Sequence, residues 1–253
     1  MTPVTLITGA SAGLGVDFAR QLAARGQRLV LVARRRDRLD ALTAELGTAR
    51  AVTLDLGAPG AAAALMADLE AHGETVSVLI NNAGFGLWGK FVSHEPDRLS
   101  AMIDLNVRVL TELCRLVAPA MIERRQGQIL NVASTAAFQA GPNMAVYFAT
   151  KAFVLSLTEA LHEELKLHGI HVSALCPGPT KTEFGDVAGF GNRLGRVFDK
   201  LSMTSADVVA KGLAALDSNR AVFVPGASNK IGAAATRLLP RSWIRRVTAA
   251  IKD

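Results

Sequence analysis

Val4-Thr5-Leu6-Ile7-Thr8-Gly9-Ala10-Ser11-Ala12-Gly13-Leu14-Gly15 is the stretch that decides the fold. Its first four residues form an apolar, β-rich run that ends in a glycine-bearing turn. Apolar residues then recur at helical spacing as far as Gly26, which predicts a helix that stops there. Glycines between a strand and a helix let the backbone approach the pyrophosphate of a dinucleotide, and the helix N-terminus supplies donors. Taken alone, the same turn could be only a tight connection.

Strand and helix patterns alternate along most of the remaining chain. Further strands are predicted at 28–32, 51–54, 76–80, 128–132, 170–175 and 221–224, and further helices at 36–46, 59–72, 99–122, 145–167 and 205–216. Most of these strands are nearly all apolar, which indicates burial on both faces, and their alternation with helices implies parallel pairing. The fold class is therefore α/β, a single doubly wound Rossmann-type domain with a parallel sheet of about seven strands flanked by helices.

Two segments fall outside this alternation. The chain has 253 residues, which suits one well-packed domain. We predict a Rossmann-type catalytic domain at 1–225, within which the glycine-broken segment 180–203 is a substrate lid. Residues 226–253 are predicted to form a basic, amphipathic C-terminal extension.

The formal net charge of +6 raises the question of a nucleic-acid partner. The basic residues fall mainly into two clusters, at 34–38 and 237–252, and neither lies beside a nucleic-acid motif or an aromatic stacking platform. We therefore expect no nucleic-acid partner. A phosphorylated small molecule explains the first cluster better.

The two cysteines, Cys114 and Cys176, lie far apart in different predicted elements and are expected to be reduced, buried thiols. The N-terminus does not have the pattern of a signal peptide, and no apolar run approaches the roughly 20 residues that span a bilayer. These features favour a cytoplasmic protein. The five histidines show no metal-ligand spacing, so no metal is assigned.

The only tyrosine of the chain, Tyr147, precedes Lys151 by four residues in a predicted helix. This spacing places the phenol and the ammonium on one helix face. A phenol with a pKa of about 10 is a poor base at neutral pH, and a nearby ammonium favours the phenolate. Ser134 lies just beyond the strand predicted at 128–132, where its hydroxyl could bond a substrate carbonyl or cap a turn.

These motifs together resemble the short-chain dehydrogenase/reductase family over nearly the whole chain. The resemblance rests on Thr-Gly-x3-Gly-x-Gly at 8–15 and on a serine that precedes Tyr-x3-Lys at 147–151. It implies that Tyr147 transfers a proton to or from the substrate oxygen and that Ser134 polarises that oxygen. Lys151 would lower the pKa of Tyr147 and bind the nicotinamide ribose, and Asn106 would position a water that links Lys151 to solvent.

The resemblance also implies a nicotinamide dinucleotide cofactor. Its contacts would be made by Gly9, Ser11, Gly13, Leu14, Gly15, Asp55, Leu56, Asn82, Ala83, Gly84, Tyr147, Lys151, Pro177, Gly178, Thr180 and Thr182. Within this set, Asp55 would contact the adenine and Thr182 the carboxamide. Asp55 could equally be an acid that caps the helix predicted to begin at Pro59.

The end of the second predicted strand indicates which dinucleotide is bound. An NAD enzyme usually carries an acid there for the ribose hydroxyls, whereas this strand ends in Ala33-Arg34-Arg35-Arg36. Arg34 or Arg35 can grip a 2′-phosphate through charge-assisted hydrogen bonds. We therefore predict NADP(H). A solvated, basic helix start is the alternative.

The resemblance suggests a lipophilic ketone substrate, of 3-oxoacyl or steroid type, because the segments at 85–88 and 184–198 combine glycine with apolar side chains. Surface packing of the same residues is the alternative. It implies a homodimer or homotetramer through the helices predicted at 99–122 and 145–167. The basic tail could lie on an anionic membrane surface, cover the pocket or cover a subunit interface. The competing functions are an NAD-dependent alcohol dehydrogenase of the same fold and a non-catalytic dinucleotide-binding regulator.

Overall fold

The seven strands form one parallel sheet in the order β3-β2-β1-β4-β5-β6-β7. The computed structural model describes residues 1–189 and 202–251. The strands are β1 (Thr2–Thr8), β2 (Leu29–Ala33), β3 (Ala49–Thr53), β4 (Glu74–Asn81), β5 (Gly127–Val132), β6 (Ile170–Leu175) and β7 (Val222–Phe223). The order reverses between β1 and β4, and ligands bind at such a switch point in open α/β sheets.

Helices cover both faces of the sheet. They are α1 (Leu14–Ala24), α2 (Arg36–Leu46), α3 (Ala61–Ala71), α4 (Pro96–Ile103), α5 (Leu110–Arg124), α6 (Ala145–Lys166), α7 (Phe184–Ala188), α8 (Ser205–Asp217), α9 (Ala227–Leu238) and α10 (Arg241–Ile251). Neighbouring strand residues point to opposite faces, yet Leu6 and Ile7 are both fully buried. Leu6 packs with residues of α3, α5 and α6, and Ile7 packs with residues of α1, α2 and α8. The predicted doubly wound α/β class is confirmed.

The prediction of one continuous α-helix at 99–122 is wrong. Instead of one α-helix at 99–122, the chain forms α4, a π-helical segment at Asp104–Val109, and then α5. π-segments in α-helices occur often at functional sites, and this one contains Asn106. Periodicity of apolar residues did not reveal it, because the apolar pattern continues through the segment.

Other boundaries move by a few residues. The helix predicted at 59–72 spans Ala61–Ala71, and the last strand, predicted at 221–224, is reduced to Val222–Phe223. The predicted lid at 180–203 is described only at 180–189 and 202–203, and the rest of it, 190–201, lies outside the described residues. The same holds for 252–253 at the end of the tail.

The C-terminal extension packs against the carboxyl edge of the sheet. In α9, the side chain of Asn229 lies so close to Gly178 that a Cβ atom added there would be 2.3 Å from Asn229 Oδ1. Arg241 and Arg245 of α10 line a cavity of about 150 Å³ together with residues 138–140. The boundary predicted after residue 225 stays a prediction. Across 1–189 and 202–251, no helix combines the length and the hydropathy needed to cross a membrane.

Candidate active site

The carboxyl ends of β1, β4, β5 and β6 bring the sequence motifs to one edge of the sheet. Thr8 ends β1 and Asn81 ends β4, which is the neighbouring strand. The hydroxyl of Thr8 accepts hydrogen bonds from the backbone N–H groups of Asn82 and Ala83, both at 3.0 Å. The side-chain amide of Asn82 donates to the carbonyls of Thr8 and Gly9 at 3.0 and 3.1 Å. The Asn82-Ala83-Gly84 segment is thereby fixed against the glycine turn.

The glycine turn has the tight, closely packed backbone that a dinucleotide site requires. Gly9 and Gly13 have φ angles of 66° and 52°, which favour glycine. A Cβ atom on Gly15 would lie 2.2 Å from the carbonyl oxygen of Gly9. Gly13 is the N-cap of α1 and makes no side-chain cap. The N–H groups of Gly15 and Val16 donate to the carbonyls of Ala12 and Gly13 at 3.2 Å each, so the turn would attract the pyrophosphate of a dinucleotide through its close backbone and the positive end of α1.

The arginines after β2 differ in their surroundings. Arg34 is exposed and forms no ion pair with any part of the chain that the structure describes. Arg35 donates to the hydroxyl of Ser11 at 3.3 Å and to its carbonyl at 3.1 Å. Arg35 also pairs with Glu183 at 3.0 Å, and Arg38 pairs with the other oxygen of that carboxylate. These arginines hold the pKa of Glu183 below its usual value, chiefly through hydrogen bonds.

Asp55 and Leu56 follow β3 at the same edge. The exposed carboxylate of Asp55 accepts a hydrogen bond from the N–H of Gly57 at 3.0 Å. The alternative that Asp55 caps the next helix is wrong, because the N-cap of α3 is Gly60. The side chain of Leu56 is buried in the core with 4% exposure, so a cofactor contact at this residue would involve its backbone.

Ser134 both caps a turn and faces Tyr147. Its hydroxyl accepts a hydrogen bond from the N–H of Ala136 at 3.1 Å, as the N-cap of a short 3-10 helix. It also donates to the carbonyl of Pro177 at 3.4 Å. Burial raises the pKa of Tyr147 to about 12, and the nearby Ser134 side chain opposes this rise without cancelling it. The two alternatives for Ser134 are therefore compatible.

Tyr147 and Lys151 lie on the same buried face of α6. Lys151 Nζ is 5.9 Å from the centre of the Tyr147 ring and donates to the carbonyl of Val132 at 2.7 Å. Burial lowers the pKa of Lys151 to about 8. The nearby ammonium is expected to lower the pKa of Tyr147, but burial raises that pKa, and Lys151 is not among the groups that shift it. At neutral pH the phenol is protonated and most of the Lys151 population is charged.

Asn106 joins the π-helical segment to the loop after β4. Its side-chain amide donates to the carbonyl of Phe85 at 2.9 Å and to the hydroxyl of Thr150 at 3.1 Å, and its oxygen accepts from the N–H of Phe85 at 3.1 Å. A Cβ atom on Gly84 would lie 2.9 Å from Asn106 Oδ1 and 3.6 Å from Lys151 Nζ. The side chain is therefore fully engaged by protein groups. The expected role in positioning a water stays a prediction.

The Pro177-Gly178 segment leads from β6 back to the glycine turn. Thr180 donates to the carbonyl of Gly178 at 3.0 Å. Thr182 packs on the glycine turn, because a Cβ atom added to Gly13 would be 3.0 Å from the Thr182 side chain. The segment thus lies over the place where the turn would hold a dinucleotide.

An apolar cluster surrounds the ring of Tyr147. The centres of the Phe184 and Tyr147 rings are 5.3 Å apart. A Cβ atom on Gly86 would lie 2.9 Å from Phe184, 3.0 Å from Met144 and 3.2 Å from Tyr147. The N–H of Trp88 donates to the carbonyl of Ala188 at 2.8 Å, which links the loop after β4 to α7. The loop at 85–88 and the described part of the second expected segment, 184–189, therefore meet at Tyr147.

Sequence reasoning missed several residues that shape this site. The sequence pattern identifies Thr8 only as part of the glycine turn, although a hydroxyl at the end of a strand can bond the backbone of the neighbouring strand. Met144 and Glu183 were not singled out, because nothing in their local sequence shows which distant residues they contact. In the described ranges, no group of three or more His, Cys, Asp and Glu side chains is placed to hold a metal ion.

Comparisons with known proteins agree with this geometry. The family model for short chain dehydrogenase matches residues 3–189. The chain is 36% identical over 214 residues to the NADP-dependent 3-hydroxy acid dehydrogenase YdfG of Salmonella typhi, covering 81% of this chain and 85% of that protein.

Solved structures of the same fold have been determined with either dinucleotide. The short-chain dehydrogenase from Sphingobium yanoikuyae in complex with NADPH is 36% identical, with a TM-score of 0.82 over 93% of this chain and 94% of that one. The 3-ketoacyl-(acyl-carrier-protein) reductase from Brucella melitensis complexed with NADH is 29% identical, with a TM-score of 0.77 over 88% of this chain and 96% of that one. With the glycine turn, the sheet order and the Tyr147–Lys151 pair in place, the chain belongs to the short-chain dehydrogenase/reductase family and is an oxidoreductase of that family.

Proposed function

We propose that the protein is an NADP(H)-dependent oxidoreductase that interconverts a carbonyl and a secondary alcohol. The observation that carries the proposal is the meeting of Ser134, Tyr147 and Lys151 at the carboxyl edge of the sheet. When bound, the nicotinamide cofactor supplies or accepts the hydride. The glycine turn, residues 82–84 and the segment 177–182 would hold it, and a side chain in place of Gly13 or Gly15 would clash with Thr182 or with the carbonyl of Gly9.

Tyr147 would supply the proton for reduction. Burial raises its pKa to about 12, so it is a protonated phenol at neutral pH and can donate to a carbonyl oxygen that Ser134 also bonds. The phenolate left behind needs a nearby positive charge. Lys151 provides it, since its pKa of about 8 keeps most of the ammonium charged at pH 7. Reduction would use the protonated phenol, and oxidation would use the deprotonated phenol.

The choice of NADP(H) rests on the cations after β2. A 2′-phosphate at the end of β2 would meet Arg34, Arg35 and Ser11, with no acid from β2 itself. The NADPH complex of the Sphingobium yanoikuyae enzyme and the NADP-dependent YdfG support this choice. An NAD-dependent alcohol dehydrogenase of the same fold is the second candidate, and the NADH complex of the Brucella melitensis reductase supports it.

A lipophilic ketone is the substrate class that the surroundings of Tyr147 favour. Phe184, Met144 and Gly86 line the approach to its ring, and Phe85 and Leu87 pack on the same cluster. Such walls bind apolar groups well, while Ser134 and Tyr147 orient one carbonyl. One relative is named as a very-long-chain 3-oxoacyl-CoA reductase, which supports a lipophilic substrate, and another is named as a 3-hydroxy acid dehydrogenase. A non-catalytic regulator would have no use for a buried ammonium beside the phenol.

The C-terminal tail contacts the body of the protein through α10 and also exposes apolar side chains, since Trp243 and Val247 are 62% and 59% exposed. Two of the α10 cations, Arg241 and Arg245, line the cavity beside residues 138–140 and so face the body of the protein. We also propose that the protein acts in the cytoplasm, which its two buried, unpaired cysteines support.

We further propose that two copies associate through α4, the π-helical segment and α6. An open apolar hollow of about 380 Å³ there is lined by Ile103, Val107 and Val146, and Phe153 on the same helix as Val146 is 42% exposed. Apolar surface of this kind is typical of subunit interfaces.

Light scattering should give at least twice the chain mass, and Val146→Asp should shift the measured mass towards that of the monomer. A monomeric wild type would contradict the proposal.

Lys151→Met should change how stability depends on pH. A lysine whose pKa falls from 10.5 to about 8 on folding contributes stability above pH 10.5 that is lost as the pH falls through 8. From pH 7 to pH 10, the free energy of unfolding of the wild type should therefore rise relative to the variant by about 2 kcal/mol. Chemical denaturation at both pH values measures this. Lys166→Met, on the exposed end of α6, is the control and should follow the wild type; a Lys151→Met curve parallel to the wild type would refute the burial argument.

Tyr147→Phe should retain NADPH binding within a few-fold and lose turnover by about a thousandfold or more, because the phenyl ring keeps the packing but carries no proton. Steady-state kinetics with a ketone and a binding titration separate the two effects. Near-normal turnover would show that another group supplies the proton.

Replacing both Arg34 and Arg35 with alanine should weaken NADPH binding at least about tenfold and change NADH binding little, because only NADPH carries the phosphate that they bind. Calorimetric titration with each nucleotide gives both values. Arg36→Ala is the matched control, since Arg36 is exposed and pairs with Asp40. Equal losses for the two nucleotides would refute NADP(H) selectivity.

A further inference from the structure

Glu183 lies on the segment after Pro177-Gly178, yet its carboxylate reaches the arginines that follow β2. We propose that Glu183 sets the affinity for the 2′-phosphate by competing with it for Arg35 and Arg38. The inference rests on the proposed function, because it concerns the group that distinguishes NADP(H) from NAD(H). It makes Glu183 a specificity-determining residue that comes from the opposite side of the cofactor site.

The hydrogen bonds of Arg35 engage three of its five N–H groups. Its Nε and Nη2 donate to the hydroxyl and the carbonyl of Ser11, and its Nη1 donates to Glu183. The positive charge of the guanidinium is thus already paired with one anion. The other oxygen of the Glu183 carboxylate is held by Arg38. A phosphate that bonds the Arg35 fork must therefore displace the carboxylate or share the fork with it.

Sharing is unfavourable because both groups are anions. Two negative charges on one guanidinium repel each other, while each alone forms a charge-assisted pair. The pairs are also accessible to exchange, since the side chains of Arg35 and Glu183 are 40% and 43% exposed. Half-exposed ion pairs contribute little stability. A phosphate that carries more charge than a carboxylate can replace Glu183 at moderate cost.

The two chain neighbours of Glu183 are both packed against the body of the protein. Its neighbour Thr182 packs on Gly13, and its other neighbour, Phe184, packs on Tyr147. The N–H of Phe184 also donates to the hydroxyl of Thr182 at 3.2 Å. With anchored residues on either side, the carboxylate acts at a high effective concentration. The competition is therefore built into the fold and does not depend on an added ligand.

Calorimetric titration of the full chain with two nucleotides tests the proposal. Adenosine 2′,5′-bisphosphate carries the 2′-phosphate, and adenosine 5′-monophosphate lacks it. We expect Glu183→Gln to bind the bisphosphate about three- to tenfold more tightly than the wild type. Its affinity for the monophosphate should not change, because that nucleotide has no 2′-phosphate to bond Arg35 or Arg38.

Glu45→Gln is the matched control for a lost negative charge. Glu45 lies on α2, pairs with Arg20 at 2.7 Å and is similarly exposed, but it has no contact with Arg35. It should leave both affinities unchanged. Circular dichroism and the unfolding midpoint establish that each variant is folded, and Glu183→Asp should fall between the wild type and Glu183→Gln if the carboxylate itself is the competitor.

The outcomes separate the two proposals. If the wild type prefers the bisphosphate and Glu183→Gln binds it no more tightly, the competition is refuted and the NADP(H) assignment stands. Weaker binding by Glu183→Gln would also refute it, because Glu183 would then support the nucleotide. If the wild type shows no preference for the bisphosphate, the NADP(H) assignment fails and the inference fails with it.

Discussion

The hydrogen bond from Lys151 to the carbonyl of Val132 is the interaction on which the site depends. It ties α6, which carries Tyr147, to the last residue of β5, two positions before Ser134. The side chains of Ser134, Tyr147 and Lys151 are thereby held close together at the carboxyl edge of the sheet. Burial of the ammonium at 6% exposure costs stability, and the low local dielectric makes its charge more effective beside a developing phenolate. The buried charge thus makes the fold less stable, as is common where a site and stability place opposite demands on a residue.

A chain of buried amides holds the same elements in register beneath the site. Asn81 at the end of β4 donates to Asn131 of β5 at 2.9 Å, and Asn131 donates to Thr158 of α6 at 3.0 Å. The three side chains are no more than 3% exposed. Buried polar groups of this kind are costly unless each finds its partner, so they tolerate only one arrangement of β4, β5 and α6. Packing of apolar side chains alone would specify the relative positions of these elements less strictly.

Local chemistry made much of this molecule predictable. The glycine spacing at 8–15 and the Tyr-x3-Lys spacing depend only on neighbouring residues. The apolar runs likewise indicated strands that are buried on both faces. The remaining features depend on contacts between distant residues. The π-helical segment at Asp104–Val109 is accompanied by hydrogen bonds from Asn106 to Phe85, and the pairing of Arg35 with Glu183 spans 148 positions. The pKa of Tyr147 is likewise set by the burial of its surroundings, which periodicity does not quantify.

The measurement that tests the central claim most directly is transfer of deuterium from NADPH deuterated at nicotinamide C4 to a panel of ketones, read by mass spectrometry of the products. The two C4-deuterated epimers are used in parallel, so that transfer from either face is detected. The account predicts deuterium on the carbinol carbon of a lipophilic alcohol, from one epimer only. If the protein binds NADPH and no ketone of the panel gains deuterium from either epimer, the site at Tyr147 is not that of a carbonyl reductase.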